Sequence, residues 1–272
     1  MNQAARYGSG AGERRRRALF LCYLFPPVGG AGVQRPVKFV KYLHQFGWDT
    51  TVLTVENPSV PVFDESLLGD IPPETVVLRA RTLEPGYHYK AQLARPDGVA
   101  ALPPSKSVSG KALLRGIKGA VRGVAGMVLQ PDPQVLWLPA AGKEALQLLR
   151  TTPHDIIFAT APPFSSLLLG SWLKRKTGVP LVLDYRDEWD LSSTYRENSK
   201  RDRFSLFVQR RMQRWVLNSA DGLIATTKGS TRRVVERARE LGVELEGVCI
   251  YNGFDAADFS SIDTVTKRNE RG

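Results

Sequence analysis

Cysteine, histidine and long apolar runs are all scarce in this 272-residue sequence. Only two cysteines occur, Cys22 and Cys249, each inside an apolar strand-like run and without a C-x-x-C pair. They read as reduced, buried thiols that act as small hydrophobes. The three histidines, His44, His88 and His154, are scattered, so no spacing supports a metal site. The opening apolar run "ALFLCYLF" follows "ERRRR" in superficial imitation of a signal peptide. It is too short to span a bilayer, lacks a small-residue cleavage site and runs straight into "PPVGG". A buried first strand behind a disordered basic tail (1–17) is the better account, and it places the protein in the cytoplasm. Acidic residues are also in deficit: 27 Asp and Glu stand against 38 Lys and Arg, a formal net charge of +11 with an isoelectric point near 9.8. That excess points to an anionic partner such as a nucleotide, an acidic lipid surface or nucleic acid, without choosing among them.

What is present is a rhythm. Short runs rich in Val, Ile and Leu (18–25, 50–55, 75–80, 155–160, 180–185, 222–227 and 247–252) alternate with amphipathic stretches of helical length (34–46, 139–151, 164–177, 203–219 and 229–241). Several of the short runs are apolar at consecutive positions, as strands buried on both faces are. The alternation predicts a doubly wound, Rossmann-like α/β domain with a parallel sheet. Residues 81–133 break the rhythm with Pro, Gly, Lys and Arg, and read as an insertion. Within them Lys111, Arg115, Lys118 and Arg122 recur at helical spacing opposite an apolar stripe. This is either a basic amphipathic helix for an anionic membrane or a helix packed on its own domain with a solvated basic face.

Between the first strand and first helix lies "FPPVGGAGVQRPVKFVKYL". The dinucleotide fingerprint G-x-G-x-x-G/A fits only in part, because Arg35 stands where a small packing residue is needed. The physics of anion binding remains. Gly29, Gly30 and Gly32 let backbone N–H groups approach a phosphate at a helix N-terminus, and Arg35 in the first turn adds a fork suited to phosphate. The alternative is a tight turn needing positive φ, with Arg35 in solvent.

The segment from "PPVGG" to "TVLT" resembles the opening of the amino-terminal domain of glycosyltransferase family 4 enzymes, the retaining, GT-B type. "PDPQVLWLPAA", "TAPPFSSLLLG", "VPLVLDYRDEW", "ADGLIATT" and "YNGFDAADF" resemble the motifs that follow in that family, in the same order, across residues 18 to 259. Glu188 stands where the family tends to have proline. The resemblance implies two Rossmann-like domains facing across a cleft, the first binding acceptor and the second the nucleotide-sugar donor. On that reading 18–259 is the acceptor-side domain and 260–272 is a linker stub towards a donor domain that this sequence lacks, as in a truncated or split enzyme. The donor is a substrate, and no cofactor is implied.

The same resemblance suggests roles for particular residues. Gly29, Gly30, Gly32 and Arg35 would face the diphosphate. Asp184, Arg186 and Asp187 of "DYRDEW" would orient the acceptor hydroxyl or act on it, the alternative being an internal Asp–Arg network that fixes a loop. Thr160, Ser165, Trp137 and Trp189 would line an acceptor groove, with helix capping and buried packing as their alternatives. The acceptor would be a cell-envelope or lipid-linked glycan, with the chain peripheral on the inner face of the plasma membrane through Lys111, Arg115, Lys118 and Arg122. Helix 203–219 carries Arg203, Arg210, Arg211 and Arg214 around Phe204, Phe207 and Trp215, but no nucleic-acid-binding signature accompanies it. Two rival functions stay open: a non-catalytic glycan- or membrane-binding module, and an NAD(P)-dependent reductase or epimerase.

Overall fold

The computed structural model describes residues 14–87, 129–189 and 203–259. Seven strands, β1 (Arg16–Leu21), β2 (Trp48–Val55), β3 (Val76–Ala80), β4 (Ile156–Ala161), β5 (Leu181–Tyr185), β6 (Gly222–Ala225) and β7 (Gly247–Cys249), form one sheet. Its order is β3-β2-β1-β4-β5-β6-β7 and every pairing is parallel. Among the described residues five helices connect them: α1 (Ala31–Leu43), α2 (Leu138–Thr151), α3 (Ser165–Thr177), α4 (Arg203–Ser219) and α5 (Lys228–Glu240). The fold class expected from the sequence is the one observed.

Strand β1 shows why its sequence is continuously apolar. Leu19 and Leu21 point into a large core with α2, α3, α4 and α5, while Ala18 and Phe20 point to the other face and pack with Val37 and Val40 of α1. A strand covered on both sides has no polar alternation to show. The winding is uneven, since among the described residues α1 alone supplies helical core to the second face.

Two local readings are corrected. Residues 14–17 were assigned to a disordered tail, yet β1 begins at Arg16. The basic end is anchored by acids: Arg14 pairs with Asp155 at 2.6 Å and Arg15 with Asp49 at 2.6 Å, while the Arg17 amide donates to Asp155. Helix α1 also starts three residues before the expected 34, so Arg35 and Pro36 lie in its second turn. A proline there removes an intrahelical donor, the one that would have met the Gly32 carbonyl. The guanidinium of Arg186 donates to that carbonyl instead.

Most of the expected insertion, including Lys111, Arg115, Lys118 and Arg122, lies outside the described residues. Among those described, no helix is long and apolar enough to cross a membrane.

Candidate functional site

In an open parallel sheet, ligands bind at the carboxyl ends of strands where the order reverses. Here that point lies between β1, which pairs with both β2 and β4, and β4. The glycine turn leaves β1 on one side of this crevice and "PPFSS" leaves β4 on the other.

The turn is braced from below. Val28 bridges Phe63, the Gly29 amide donates to the Val62 carbonyl at 3.0 Å, and the Asp64 amide donates to the Pro27 carbonyl at 2.8 Å. A Cβ at Gly29 would sit 2.9 Å from a methyl of Val62 and 3.3 Å from the Asp64 amide nitrogen, so a side chain there would have to displace Val62 and press on the Asp64 backbone. Gly30 is exposed, with φ at +98°, and α1 begins directly after it. No side chain caps this N-terminus and its first turn carries no acid. The N–H groups of Gly30, Ala31 and Gly32 find no acceptor among the described residues. An uncapped helix start presents partial positive charge and free donors to whatever fills the crevice.

Beneath the turn lies a buried charge cluster. Asp184 is fully buried and accepts from Arg35 Nε at 3.0 and 3.2 Å, from Arg35 Nη2 at 2.9 Å and from Thr160 Oγ1 at 2.8 Å. Arg35 spends its third nitrogen on the Ile250 carbonyl at 2.8 Å and on Asn252 Oδ1 at 3.1 Å, and lies over the Phe39 ring. Arg35 therefore points into the protein and not towards the open side of the glycine turn, correcting the expected phosphate fork. Asp184, expected at catalysis, is engaged by Arg35 and by Thr160, and the hydroxyl of Thr160, expected at acceptor binding, is spent on Asp184.

Arg186 crosses the crevice floor. One nitrogen donates to the Gly32 carbonyl and another to the Pro162 carbonyl, so a single guanidinium ties the rim after β1 to the rim after β4. Its Nε is buried with no partner among the described residues. Burial pushes its pKa down, opposed by the charge of Asp184. Two guanidiniums and one buried carboxylate form this floor, with the charge of Asp187 also acting on Arg186; the free amides above it are what attracts an anion. Burial likewise raises the pKa of the adjacent Cys22 thiol, which Arg186 opposes. Asp187, by contrast, is exposed. Glu188 turns away to a two-pronged pair with Arg233 at 2.7 and 2.8 Å.

The remaining predicted acceptor residues do not line an open surface. Trp137 is fully buried, donates to the Ala80 carbonyl at 3.2 Å and meets Tyr23 edge-on. Trp189 is buried against the Phe164 ring at 4.7 Å. The hydroxyl of Ser165 donates to Asp132, whose other oxygen accepts the Phe164 amide at 2.6 Å and the Ser165 amide at 3.2 Å. Asp132 thus caps α3 from a distant segment, which is why Ser165 is buried. The apolar side chains exposed on the loops after β2, β3 and β7 include Val62, Phe63, Leu83, Tyr251 and Phe254, and Phe254 is 82% exposed. Nothing in sequence separates these from ordinary loop residues.

A second unforeseen cluster holds the segment after β7 onto α1. Lys38 reaches Asp70 at 2.5 Å, Asp258 at 2.6 Å and Asp255 at 2.8 Å. Lys41 reaches Asp70 at 2.5 Å and Asp255 at 2.7 Å, and the Tyr42 hydroxyl donates to Asp255 at 2.7 Å. Hydrogen bonds from Lys38, Lys41 and Tyr42 hold Asp255 far below the ordinary carboxylate range. Partial burial works against Lys38, yet its three carboxylate partners raise it. Asp70, Asp255 and Asp258 converge as metal ligands would, but two ammonium groups already sit among them. Spacing of 35, 38 and 41–42 along α1 is a readable signal for a polar stripe; its partners are not readable.

A family profile described as Glycosyl transferase 4-like domain matches residues 29–253. No curated protein matches the chain by sequence. Among solved structures, the chain is similar to Phytolacca americana UGT2 complexed with UDP-2fluoro-glucose and pterostilbene (13% identity, TM-score 0.50), covering 90% of this chain and 56% of that one. Anabaena Alr3699/HepE in complex with UDP and glucose aligns at 16% identity and TM-score 0.44, covering 89% of this chain and 46% of that one. Medicago truncatula UGT71G1 complexed with UDP-glucose aligns at 12% identity and TM-score 0.47, covering 89% and 53%. The chain spans about half the length of these structures. At such identities the likeness concerns the fold.

Proposed function

This chain belongs to the glycosyl transferase 4-like domain family, and from that premise we propose that it forms the acceptor-side half of a retaining, nucleotide-sugar-dependent glycosyltransferase. The observation that carries the reading is the uncapped glycine turn, whose amides find no acceptor among the described residues, at the point where the sheet order reverses.

In this reading a donor half, supplied by a further domain or a separate chain, closes over the exposed apolar rim of Val62, Phe63, Leu83, Tyr251 and Phe254. The sugar–phosphate bond breaks as the acceptor oxygen bonds to the anomeric carbon from the same face, and the acceptor proton passes to the departing diphosphate. No protein base is required. The chain's contribution is positioning and charge stabilisation. Amides of Gly30, Ala31 and Gly32 point at the diphosphate as charge builds there, with Arg186 fixing the turn from behind. Asp187, the exposed acid of "DYRDEW", orients the acceptor hydroxyl. The acceptor class is a cell-envelope or lipid-linked glycan, with the chain peripheral on the inner face of the plasma membrane.

The test is turnover of a nucleotide-sugar panel by the purified chain, alone and with a separately expressed donor half. Turnover should require both parts and fall by about 100-fold or more in Asp187→Asn, within the range that a positioning or acid–base group supplies. No turnover in either arrangement would remove the enzymatic reading. One observation favours binding without catalysis: Asp184 is engaged within the protein by Arg35 and Thr160, and Arg186 spends both terminal nitrogens on backbone carbonyls. That second reading gives acceptor affinity with no donor affinity by calorimetry.

A further inference from the structure

Helix α4 contains no acidic residue. Its inner side packs through Met212, Gln213, Trp215 and Val216. Arg203, Phe207, Arg210 and Arg214 recur at i, i+4, i+7 and i+11 along the opposite side, with Phe204 and Arg211 beside them, and all six are exposed. Residues at that spacing share one helix face.

The four arginines make no ion pair among the described residues; Arg211 lies over the Phe207 ring at 6.0 Å. They and Leu206, Phe207 and Leu241 line a groove of about 530 Å³. Its one acid, Glu240, is paired with Arg237 at 2.9 Å.

Two large apolar groups sit among these arginines, Phe204 and Phe207 at 57% and 60% exposed, and basic and apolar groups together on one helix face suit a lipid surface. We propose that this face of α4 docks on the surface of an anionic lipid bilayer. The arginines meet lipid phosphates, and the two phenylalanines enter the boundary between headgroups and acyl chains. Charge complementarity selects an anionic surface, since three guanidiniums on the stripe and a fourth beside it make no ion pair among the described residues. The straight run of the stripe along one helix selects a bilayer over nucleic acid. The helix is about 25 Å long at 1.5 Å per residue, and a planar interface meets every residue of the stripe at once. This deepens the peripheral-membrane part of the proposed function and is independent of its chemistry.

The experiment is co-sedimentation of the full chain with vesicles of phosphatidylcholine alone, or mixed with phosphatidylglycerol, in the absence of any sugar. Binding should require the anionic lipid. Each arginine near such a surface strengthens binding about fivefold, so Arg210→Gln/Arg211→Gln/Arg214→Gln should weaken it about 100-fold. Arg232→Gln, an exposed change on α5 outside the groove, should leave binding as it is. Phe207→Trp should be quenched by brominated lipid. All these positions are exposed, so thermal unfolding of the variants should match the wild type.

Three outcomes would overturn the proposal. One is equal affinity for neutral and anionic vesicles, or none for either. Another is a triple variant that binds as wild type, as it would if Lys111, Arg115, Lys118 and Arg122 carried the membrane contact. The third is loss in the triple variant of RNA or DNA binding with vesicle binding intact. None bears on turnover of a soluble acceptor, so failure here leaves the transferase reading standing.

Discussion

Gly30 and Asp184 show how single residues set the site. At Gly30 an added Cβ would meet nothing within 4 Å, so the whole cost of a side chain is the backbone conformation at φ +98°. Gly30→Ala should therefore destabilise the chain by about 1–3 kcal/mol, measured by urea denaturation, although the space around it is empty. Asp184 makes the opposite kind of test. It is fully buried against Arg35, itself only 6% exposed at the side chain, so Asp184→Asn leaves a guanidinium without its counter-charge. A loss of about 3–5 kcal/mol in unfolding free energy is expected. A catalytic carboxylate would lose activity with stability intact; a structural one loses stability first. Residue type was readable here and direction was not. Arg35 is correctly a guanidinium in the right neighbourhood, but only the position of β5 beside β4 turns it inward.

At the scale of elements, α1 works through one polar stripe. Arg35 grips the backbone just after β7, and Lys38, Lys41 and Tyr42 grip Asp255 beyond it. The pH dependence follows from the signs. Asp255 and Asp70 have folded pKa values below those of an unfolded aspartate, about 3.9. Their contribution is complete above that value and is lost as pH falls below it, through the folded pKa. Lys38 and Lys41 are raised, so theirs is complete below about 10.5 and lost above it. The difference in melting temperature between wild type and Asp255→Asn should thus stay constant from about pH 5 to 9 and close below about pH 4. Hydrogen exchange should quicken at 251–258 in the variant and remain slow in β1. A melting difference that persists in strong acid would show that Asp255 is not held by these lysines. Helix periods located α1, α2, α3, α4 and α5 to within a few residues. The largest error, at the start of α1, arose because a glycine-rich first turn carries no apolar periodicity.

For the whole molecule, the two apolar clusters lie on opposite faces of the same strands. Leu19 and Leu21 belong to one, and Ala18 and Phe20 to the other. Neither face can be lost while β1 stays in place. Unfolding followed by fluorescence of the buried Trp137 and Trp189 should therefore coincide with unfolding followed by far-ultraviolet circular dichroism. Separate transitions would mean that the α1 face opens by itself.

The succession of consecutive apolar runs and amphipathic helices was enough, by itself, to determine a parallel α/β sheet, because burial on both faces and helical amphipathicity are local patterns written along the chain. The glycine turn was equally legible, since a missing side chain is visible without coordinates. Which groups meet was decided only by the tertiary structure. Asp132 caps a helix that begins 33 residues later, Arg186 takes the carbonyl that Pro36 leaves without a donor, and Arg35 meets Asp184 across 149 positions. Such pairings depend on strand order and on the direction of each side chain, and neither leaves a periodic trace in the sequence.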